Sequence, residues 1–450
     1  MNVSKKKAVD FSTAFFIYIS INIQLIFSFS LFNTYNCKMK KIIVVALITL
    51  VSFTTRSQVK IVGYIPTSHW NNLYQVDLNH LSHLCASFAN PAEDGEIIFD
   101  QDLNTFVSAV HRGNVKAILS IGGGGDYSWG DKHKIYEKLW ETKESRTAFI
   151  HKIMNFLRKY NLDGLDNDIE GFAMKLENFN VFSQELGDSL HSSNLEYSMA
   201  VGVDAWIGEA YVNDTTLQKF DFVSTMSYGG VGDWNWDKKP DEGTYDKMVS
   251  DVSKLISRKM KPNEVCGGIP FYAVEFPKTQ QSTYWMFNQK NCKVYNRSDY
   301  GNINALHADT IYTKDSSVIY INSLKTYYKK MDYLFKQGSG LMIWQVAYDC
   351  FTPGNNVMDY LAKYMDEKKV MIDVSGLEYL ISIERTPKNE ILFRSGGLKI
   401  RKLIIRNIDK NIIYEGKPSR KLKIENFQGG EIFVEIILGD NKKTTKNLRL

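Results

Sequence analysis

The sequence predicts an α/β fold, a parallel (β/α)8 barrel followed by a small C-terminal β-sandwich, and two observations support this prediction. From residue 59 onward, short apolar runs rich in β-branched residues alternate eight times with amphipathic helical segments over about 310 residues. After residue 373 the chain changes to short runs of alternating apolar and polar residues, which are typical of antiparallel strands. A doubly wound open sheet is the alternative for the first part, but the chain has no dinucleotide-binding fingerprint.

The strands of the barrel are predicted from eight apolar runs. In chain order these runs are 60–66, 81–89, 116–122, 162–170, 195–203, 221–228, 264–271 and 339–346. Helical periodicity is clear between several of them, in 146–160, 176–190, 247–259 and 322–336. Eight strand–helix repeats of this kind indicate the TIM-barrel architecture.

Two connections are longer than ordinary loops, 123–142 after the third run and 272–318 after the seventh. Both follow the carboxyl ends of strands, where barrel enzymes place their active sites. They contain seven aromatic residues, Tyr127, Trp129, Trp140, Tyr284, Trp285, Phe287 and Tyr295. Aromatic rings stack on the C–H faces of sugars, but they also close small satellite cores, and the sequence leaves both interpretations open.

Composition and charge exclude several classes of protein. The chain has 450 residues, 44% hydrophobic and 23% charged, which excludes a disordered, collagen-like or disulfide-dense protein. Three segments, which are also the predicted domains, differ in charge: 1–57 holds seven basic and one acidic residue, 58–369 holds 32 and 39, and 370–450 holds 16 and 10. Since the body is acidic, nucleic acid is not expected as the partner.

Metal and cofactor chemistry find no support in the sequence. The eight histidines show no metal-ligand spacing, and no C-x-x-C pair occurs among the five cysteines. The glycines at 122–125 lack the Lys-Ser/Thr of a phosphate-binding loop. No cofactor and no metal are therefore predicted.

The segment 1–57 is predicted to be an N-terminal extension that contains a signal peptide. Met39 and two lysines precede an apolar run at 42–53, which is too short to span a bilayer comfortably. Upstream, residues 11–36 carry no charge but contain many polar side chains. We expect Met39 to be the true start rather than 11–36 to be a membrane anchor, and we expect the protein to be exported in either case.

Three carboxylates end the fourth apolar run. On a strand, side chains alternate between faces, so Asp166, Asp168 and Glu170 point the same way, towards the interior of a barrel. Three carboxylates in one buried row cannot all stay ionised, and at least one pKa must rise, as a general acid at neutral pH requires. A metal site or a solvated acidic edge is the alternative, but strand spacing in an apolar run does not favour either.

The carboxylates belong to the motif D-G-x-D-x-D-x-E at 163–170, which resembles the fourth strand of glycoside hydrolase family 18, the chitinases and endo-β-N-acetylglucosaminidases. S-x-G-G at 120–123, M-x-Y at 226–228 and Trp344 also resemble motifs of that family, in the expected order. The likeness spans roughly residues 59–365. The residues that it places at the substrate are Tyr64, Phe88, Gly122, Gly123, Met226, Tyr272 and Trp344.

The resemblance implies a substrate-assisted retaining mechanism. Glu170 would protonate the glycosidic oxygen, and the 2-acetamido carbonyl of the substrate would be the nucleophile. Asp168 would hold the acetamido N–H, and Asp166 would tune Asp168 from one layer deeper. Tyr228 would donate its hydroxyl to the acetamido oxygen, and Trp344 would form the floor beneath the sugar at subsite −1.

One position departs from the family pattern. Gly229 follows the M-x-Y tyrosine, where chitinases usually have Asp or Asn. Chitin or chito-oligosaccharides are the expected substrate, and the chitobiose core of N-glycans, which a more open site could accept, is the alternative. A non-catalytic chitin-binding protein of the lectin type is the alternative from another class, although such relatives typically lose the motif glutamate.

The last 50 residues resemble the C-terminal sorting domains of the type IX secretion system of Bacteroidota. The shared features are a small β-sandwich, Gly429 and Gly430 before the penultimate strand, and a lysine-rich end at 442–446. An accessory sandwich is the alternative. The expected partners are thus a polysaccharide or oligosaccharide with N-acetylglucosamine and a secretion machinery. The protein is expected to be a monomer that is secreted or held at the cell surface.

Overall fold

The computed structural model describes residues 58–205, 208–228, 243–276, 283–286, 306–312, 318–351, 354–385, 391–419, 421–422, 429–439 and 442–449. The chain from Gln58 onward forms one compact unit. The predicted signal peptide, Gly229, Phe287 and Tyr295 lie outside the described residues.

Eight parallel strands close into a barrel, so the predicted fold is confirmed. They are β1 (Ile61–Pro66), β2 (His83–Pro91), β3 (Lys116–Gly122), β4 (Gly164–Asp168), β5 (Glu196–Val201), β6 (Phe222–Thr225), β7 (Val265–Pro270) and β8 (Gly340–Trp344). Each strand pairs with the next in chain order, and β8 pairs with β1 to complete the ring. Seven of them lie within the predicted runs, and β2 overlaps its run but extends two residues beyond it, to Pro91. A short strand, Ile97–Ile98, pairs antiparallel with the end of β2.

Helices pack around the barrel. They are α1 (Leu103–Arg112), α2 (His133–Trp140), α3 (Lys143–Tyr160), α4 (Gly171–Met174), α5 (Phe179–Ser192), α6 (Asp214–Leu217), α7 (Tyr245–Ser257), α8 (Leu324–Gln337) and α9 (Val357–Glu367). Short polar side chains start most of the long ones: Asp102, Thr142, Thr244, Ser323 and Asn356 each accept a hydrogen bond from a first-turn backbone N–H. Within the described ranges, none of the helices has the length and hydropathy of a membrane span.

The described parts of the long connection after β7 include a small antiparallel sheet. Its strands, in spatial order, are Thr283–Met286, Tyr272–Phe276, Val318–Tyr320 and Thr310–Tyr312. Tyr272 is only 4% exposed, and it packs with aromatic residues at the carboxyl end of the barrel. The inserted sheet therefore stands beside the end of the barrel where the predicted site lies.

Two sheets follow the barrel. The larger one contains β9 (Met371–Asp373), β12 (Lys402–Asn407), β13 (Ile412–Gly416), β15 (Glu431–Ile437) and β16 (Lys442–Arg449). The smaller one contains β10 (Ser382–Arg385), β11 (Ile391–Arg394) and β14 (Lys421–Leu422). The larger sheet is mixed rather than wholly antiparallel, because Gln58–Val59 pairs parallel with β9, and β9 pairs parallel with β16. Residues 58 and 59 thus belong to this sheet, whereas we predicted them as the start of the barrel domain.

Candidate active site

The end of β4 places two carboxylates inside the barrel. The strand Gly164–Asp168 is buried along its whole length, and Asp166 and Asp168 are 0% and 3% exposed. Glu170 lies two residues beyond the strand, at the start of α4. The predicted strand was therefore two residues too long at this end, and Glu170 stands on a turn at the barrel mouth. The polypeptide still brings the three carboxylates close enough for their charges to interact.

Asp166 is held by three hydroxyl groups. Tyr64 and Ser120 donate hydrogen bonds of 2.9 and 2.7 Å to Oδ2, and Ser198 donates one of 2.7 Å to Oδ1. Burial raises the pKa of Asp166, and the three hydrogen bonds oppose that rise because they favour the ionised carboxylate. Asp166 is thus a fixed acceptor at the base of the site.

Asp168 is the least satisfied carboxylate of the site. Its Oδ1 atom is buried and has no hydrogen-bond partner. Burial, followed by the charges of Glu170 and Asp166, raises the pKa of Asp168 well above its ordinary value. A buried acceptor without a donor costs free energy, which a ligand N–H at this position would recover.

Glu170 has the properties of a general acid near neutral pH. Burial raises the pKa of its carboxyl group to about 7, although a hydrogen bond from the Trp129 side chain acts in the opposite direction. The backbone N–H of Glu170 donates a 3.0 Å hydrogen bond to Ser128 Oγ. Glu170 is therefore positioned by the segment that follows β3 as well as by its own strand.

Aromatic rings form the floor of the site. Trp344, at the end of β8, stacks on Phe88 with 5.7 Å between ring centroids and 19° between planes. Its ring also lies 5.6 Å from the ring of Tyr64, whose hydroxyl binds Asp166. The three predicted aromatic residues of β1, β2 and β8 thus pack together beside the carboxylates, with Tyr64 buried beneath the ring of Trp344.

Tyr228, Met226 and Tyr272 also lie at this end of the barrel. The Tyr228 hydroxyl donates to Met342 Sδ at 3.4 Å, and a thioether is a weak acceptor. The Tyr228 and Tyr272 rings meet edge to face at 6.1 Å, and Tyr272 also packs against Trp344. Met226 packs on the apolar residues inside the barrel.

Two glycines at the end of β3 let the backbone approach this layer. Gly122 has φ +102°, and a Cβ there would collide with the Asp168 carbonyl group. Gly123 has φ +81°, and a Cβ there would collide with the Phe88 ring. The Gly123 N–H donates a 2.7 Å hydrogen bond to Asp168 O. Glycine is required at both positions by conformation and by space.

The aromatic residues of the segment after β3 differ in exposure. Trp140 is fully buried and stacks on Tyr136 and Phe182, so it belongs to the core. Tyr127 is partly buried, and its hydroxyl donates to Pro91 O at 2.9 Å. Trp129 is 36% exposed and contacts the Glu170 region. Of the two interpretations left open, Trp140 fits the core, and contact with sugar stays open for Tyr127 and Trp129.

Sequence reasoning did not predict which serines support the carboxylates, although Ser120 was part of the S-x-G-G motif. Ser120 and Ser198 lie beside Asp166 in the strand register of β3, β4 and β5. A lone serine in an apolar strand, at the layer of a buried aspartate, was the available signal. Ser128 carries no signal in the sequence, because its contact with Glu170 depends on how the loop folds.

In the ranges that the structure describes, no group of three or more His, Cys, Asp or Glu side chains is placed to hold a metal ion. Cys85 and Cys266 are free, buried thiols of the barrel, and Cys350 is disulfide-bonded.

A (β/α)8 barrel with an acid of raised pKa beside buried aspartates and an aromatic floor defines the class of glycoside hydrolases. The chain belongs to the glycosyl hydrolases family 18, whose sequence model matches residues 60–349. The predicted family is thereby confirmed for the barrel. The resemblance of the C-terminal region to a sorting domain stays a prediction.

Curated relatives of the chain are described as chitinases or chitinase-like. Probable chitinase 2 of Drosophila melanogaster is 24% identical over 302 residues, covering 57% of this chain and 60% of that protein. The chitinase-like effector of Moniliophthora roreri is 26% identical over 239 residues, covering 47% and 57%. The matched region thus spans less than two thirds of the length of either relative.

Solved structures show the same fold. The chitinase ChiB from the chitin utilization locus of Flavobacterium johnsoniae has a TM-score of 0.60 at 22% identity, covering 71% of this chain and 99% of that one. A chitinase from Bacteroides thetaiotaomicron has a TM-score of 0.56 at 19% identity, covering 69% and 98%. At these identities the likeness concerns the barrel architecture.

Proposed function

We propose that this protein hydrolyses β-1,4 linkages next to N-acetylglucosamine in chitin or chito-oligosaccharides, with the acetamido group of the substrate as nucleophile. The observation that supports this most strongly is the pair formed by Asp168 and Glu170. Asp168 presents a buried oxygen that lacks a donor, and Glu170 has a pKa of about 7. Asp168 can thus accept the N–H of the substrate's acetamido group, while Glu170 beside it can protonate the leaving glycosidic oxygen.

In the first step Glu170 transfers its proton to the glycosidic oxygen, and the C1–O bond breaks. The acetamido carbonyl oxygen attacks C1, and a cyclic oxazolinium ion forms, so no enzyme carboxylate binds the sugar covalently. Asp168 accepts the acetamido N–H and stabilises the positive charge that develops on the ring. Asp166, fixed by its three hydroxyl donors, keeps negative charge below Asp168.

In the second step the ionised Glu170 removes a proton from water, and the water oxygen attacks C1 on the face that the leaving group vacated. The ring opens, the acetamido group is restored, and the product keeps the β configuration. Tyr228 donates its hydroxyl to the acetamido oxygen in exchange for its weak contact with Met342. Trp344, stacked on Phe88, supports the apolar face of the sugar.

The experiment that tests this proposal offers two substrates in parallel, chitotetraose and a high-mannose N-glycoprotein, and follows product release. The proposal expects cleavage of chitotetraose by the wild type and a fall in kcat of at least about a hundredfold for Glu170→Gln. Glu177→Gln, which changes an exposed carboxylate beyond α4, is the matched control and should keep wild-type activity.

Release of the glycan alone would replace chitin with the chitobiose core of N-glycans as the substrate. Chitin binding without turnover, unchanged by Glu170→Gln, would instead indicate a lectin-like protein on the same barrel.

We also propose that the protein is exported as a monomer, with 1–57 as the processed segment and 370–450 as a recognition region for a secretion machinery. The bonded state of Cys350 supports an oxidising destination. N-terminal sequencing and size-exclusion chromatography of the protein from the culture medium test this. A mature chain that begins near Gln58 and elutes at monomer size is expected, and retention in the cytoplasm would contradict export.

A further inference from the structure

We propose that Trp129 is a positioning residue for Glu170: its indole N–H holds the carboxylate, and its ring clamps the turn that carries it. This inference rests on the proposed function of Glu170 as the acid, and it adds a residue from another strand–helix connection to that function. Three kinds of contact support it: hydrogen bonds between the loop and the turn, packing of the indole ring on the turn, and the hydrogen bond from the indole to the Glu170 carboxylate.

The segment that carries Trp129 is braced on itself and on the barrel. The N–H groups of Ser128 and Trp129 donate to Gly125 O at 3.0 and 2.9 Å, which closes a tight turn. The neighbouring Tyr127 hydroxyl donates to Pro91 O at the end of β2. The loop that carries the indole is therefore fixed by its own turn and by a hydrogen bond to the end of β2.

Ser128 of the same segment accepts two hydrogen bonds from the backbone of the turn that carries Glu170. Ser128 Oγ accepts the Glu170 N–H at 3.0 Å, and Ser128 O accepts the Phe172 N–H at 2.8 Å. These two hydrogen bonds fix the peptide plane before Glu170 and the one after Gly171. Since the carboxylate is attached to this turn, its position follows that of the segment.

The Trp129 ring packs directly on the turn. Gly171 has φ +57°, and a Cβ there would lie 2.5 Å from the indole ring. The Trp129 and Phe172 rings meet edge to face at 5.8 Å. On the other side of the carboxylate, a Cβ on Gly124 would lie 3.3 Å from Glu170 Oε1. The side chain of Glu170 is thus enclosed by the loop that holds Trp129.

The indole hydrogen bond also affects the proton affinity of the acid. It favours the ionised carboxylate and so lowers the pKa of Glu170, against the larger effect of burial, which raises that pKa to about 7. Without the indole N–H, Glu170 should keep its proton to a higher pH. A residue with a purely structural role would not change this property.

The test compares Trp129→Phe with Trp140→Phe. The first variant keeps an aromatic ring on Gly171 but loses the N–H that Glu170 binds. The second makes the same substitution at a buried tryptophan whose Nε1 has no hydrogen-bond partner. For Trp129→Phe we expect a fall in kcat of about tenfold, because the acid is less well oriented, and a shift of the basic limb of the pH–rate profile to higher pH. For Trp140→Phe both should stay at wild-type values.

A second readout needs no turnover. In protein labelled with carboxyl-13C glutamate, the Glu170 resonance is assigned by its loss in Glu170→Gln and is then titrated in each variant. A higher midpoint in Trp129→Phe alone supports the proposal. Equal midpoints in wild type, Trp129→Phe and Trp140→Phe would overturn it. If Trp129→Phe does not fold, benzothienylalanine at position 129, which replaces N–H with sulfur at nearly the same shape, takes its place.

The two readouts separate the two proposals. A wild type without activity would end the proposed hydrolysis, while the titration would still decide whether Trp129 holds the carboxylate. An active wild type with three equal titrations and pH profiles would leave hydrolysis standing and remove Trp129 from it.

Discussion

At the residue scale, the site lowers the stability of the folded chain. Asp168 and Glu170 are buried, and burial raises the pKa of both. Between the unfolded pKa of Glu170, near 4.5, and its folded pKa of about 7, the folded state binds more protons than the unfolded state. Stability must therefore fall as pH rises through this window.

This linkage predicts that Glu170→Gln stabilises the protein at pH 8 by about 1–3 kcal/mol, since the amide never has to ionise in a buried site. The gain should vanish near pH 4, where the glutamate is protonated in both states. Chemical unfolding at the two pH values measures it, with Glu177→Gln as the control. An equal gain at both pH values would contradict the assigned cause.

At the element scale, the carboxyl ends of β3 and β4 must approach closely, and Gly122 permits this. Its φ of +102° favours glycine, and the Asp168 carbonyl occupies the place of a Cβ. Gly397 has a similar φ of +96°, but nothing lies within 4 Å of a Cβ built there. Substituting each glycine by alanine therefore distinguishes two contributions to the loss of stability: backbone strain alone at Gly397, and strain together with a steric collision at Gly122.

We predict that Gly397→Ala destabilises by about 1–2 kcal/mol, from strain alone. Gly122→Ala should cost about 2 kcal/mol more, and it should also lower activity, because β4 must shift to admit the methyl group. Urea unfolding and turnover of chitotetraose measure the two effects. Equal losses of stability in both variants would show that β3 and β4 are not in contact as described.

The elements also show what sequence patterns can and cannot predict. The eight strands were predicted from apolar runs that alternate with helical segments. The interior placement of Asp166 and Asp168 was predicted from the alternation of side chains along a strand. The end of β4 did not, because Ile169 and Glu170 continue the pattern while the backbone turns into α4. Trp140 was ambiguous from sequence alone, since a tryptophan in a long connection after a barrel strand suits a core as well as a cleft.

At the scale of the whole molecule, the C-terminal sheets cover the amino end of the barrel. Asn114 Nδ2 donates to Lys399 O and Leu438 O, and the Tyr379 hydroxyl donates to Asp163 Oδ1 at 2.7 Å. No sequence pattern predicted these contacts, because they join residues more than 200 positions apart. Residues 370–450 are therefore packed and hydrogen-bonded to the amino end of the barrel.

Lys442 is the most informative residue of this interface. Its buried ammonium group donates to the carbonyl oxygens of Leu78, Gly113 and Asn114 at 2.9, 3.3 and 3.2 Å. Burial lowers the pKa of Lys442 to about 7, although the charge of Asp77 opposes this. Between pH 7 and 10.5 the folded state therefore binds fewer protons than the unfolded state, and stability rises with pH.

We predict that Lys442→Met destabilises the protein by about 2 kcal/mol at pH 9, because the surrounding carbonyl groups lose the N–H donors of the neutral amine that Lys442 carries at this pH. The loss should be smaller at pH 7, where the wild type bears the cost of a buried charge. Lys443→Met, at an exposed neighbouring side chain, should change little at either pH. Thermal unfolding measures both, and equal effects of the two variants would contradict the burial of Lys442.

The central claim is that Glu170 acts as the acid on a substrate whose own acetamido group attacks C1. The most direct test follows chitotetraose and its fully deacetylated counterpart by proton NMR from the first turnover. The account predicts that chitotetraose alone is cleaved, that the first product is the β anomer, and that Glu170→Gln abolishes its release. Cleavage of the deacetylated tetramer at a similar rate, or an α anomer as the first product, would contradict it.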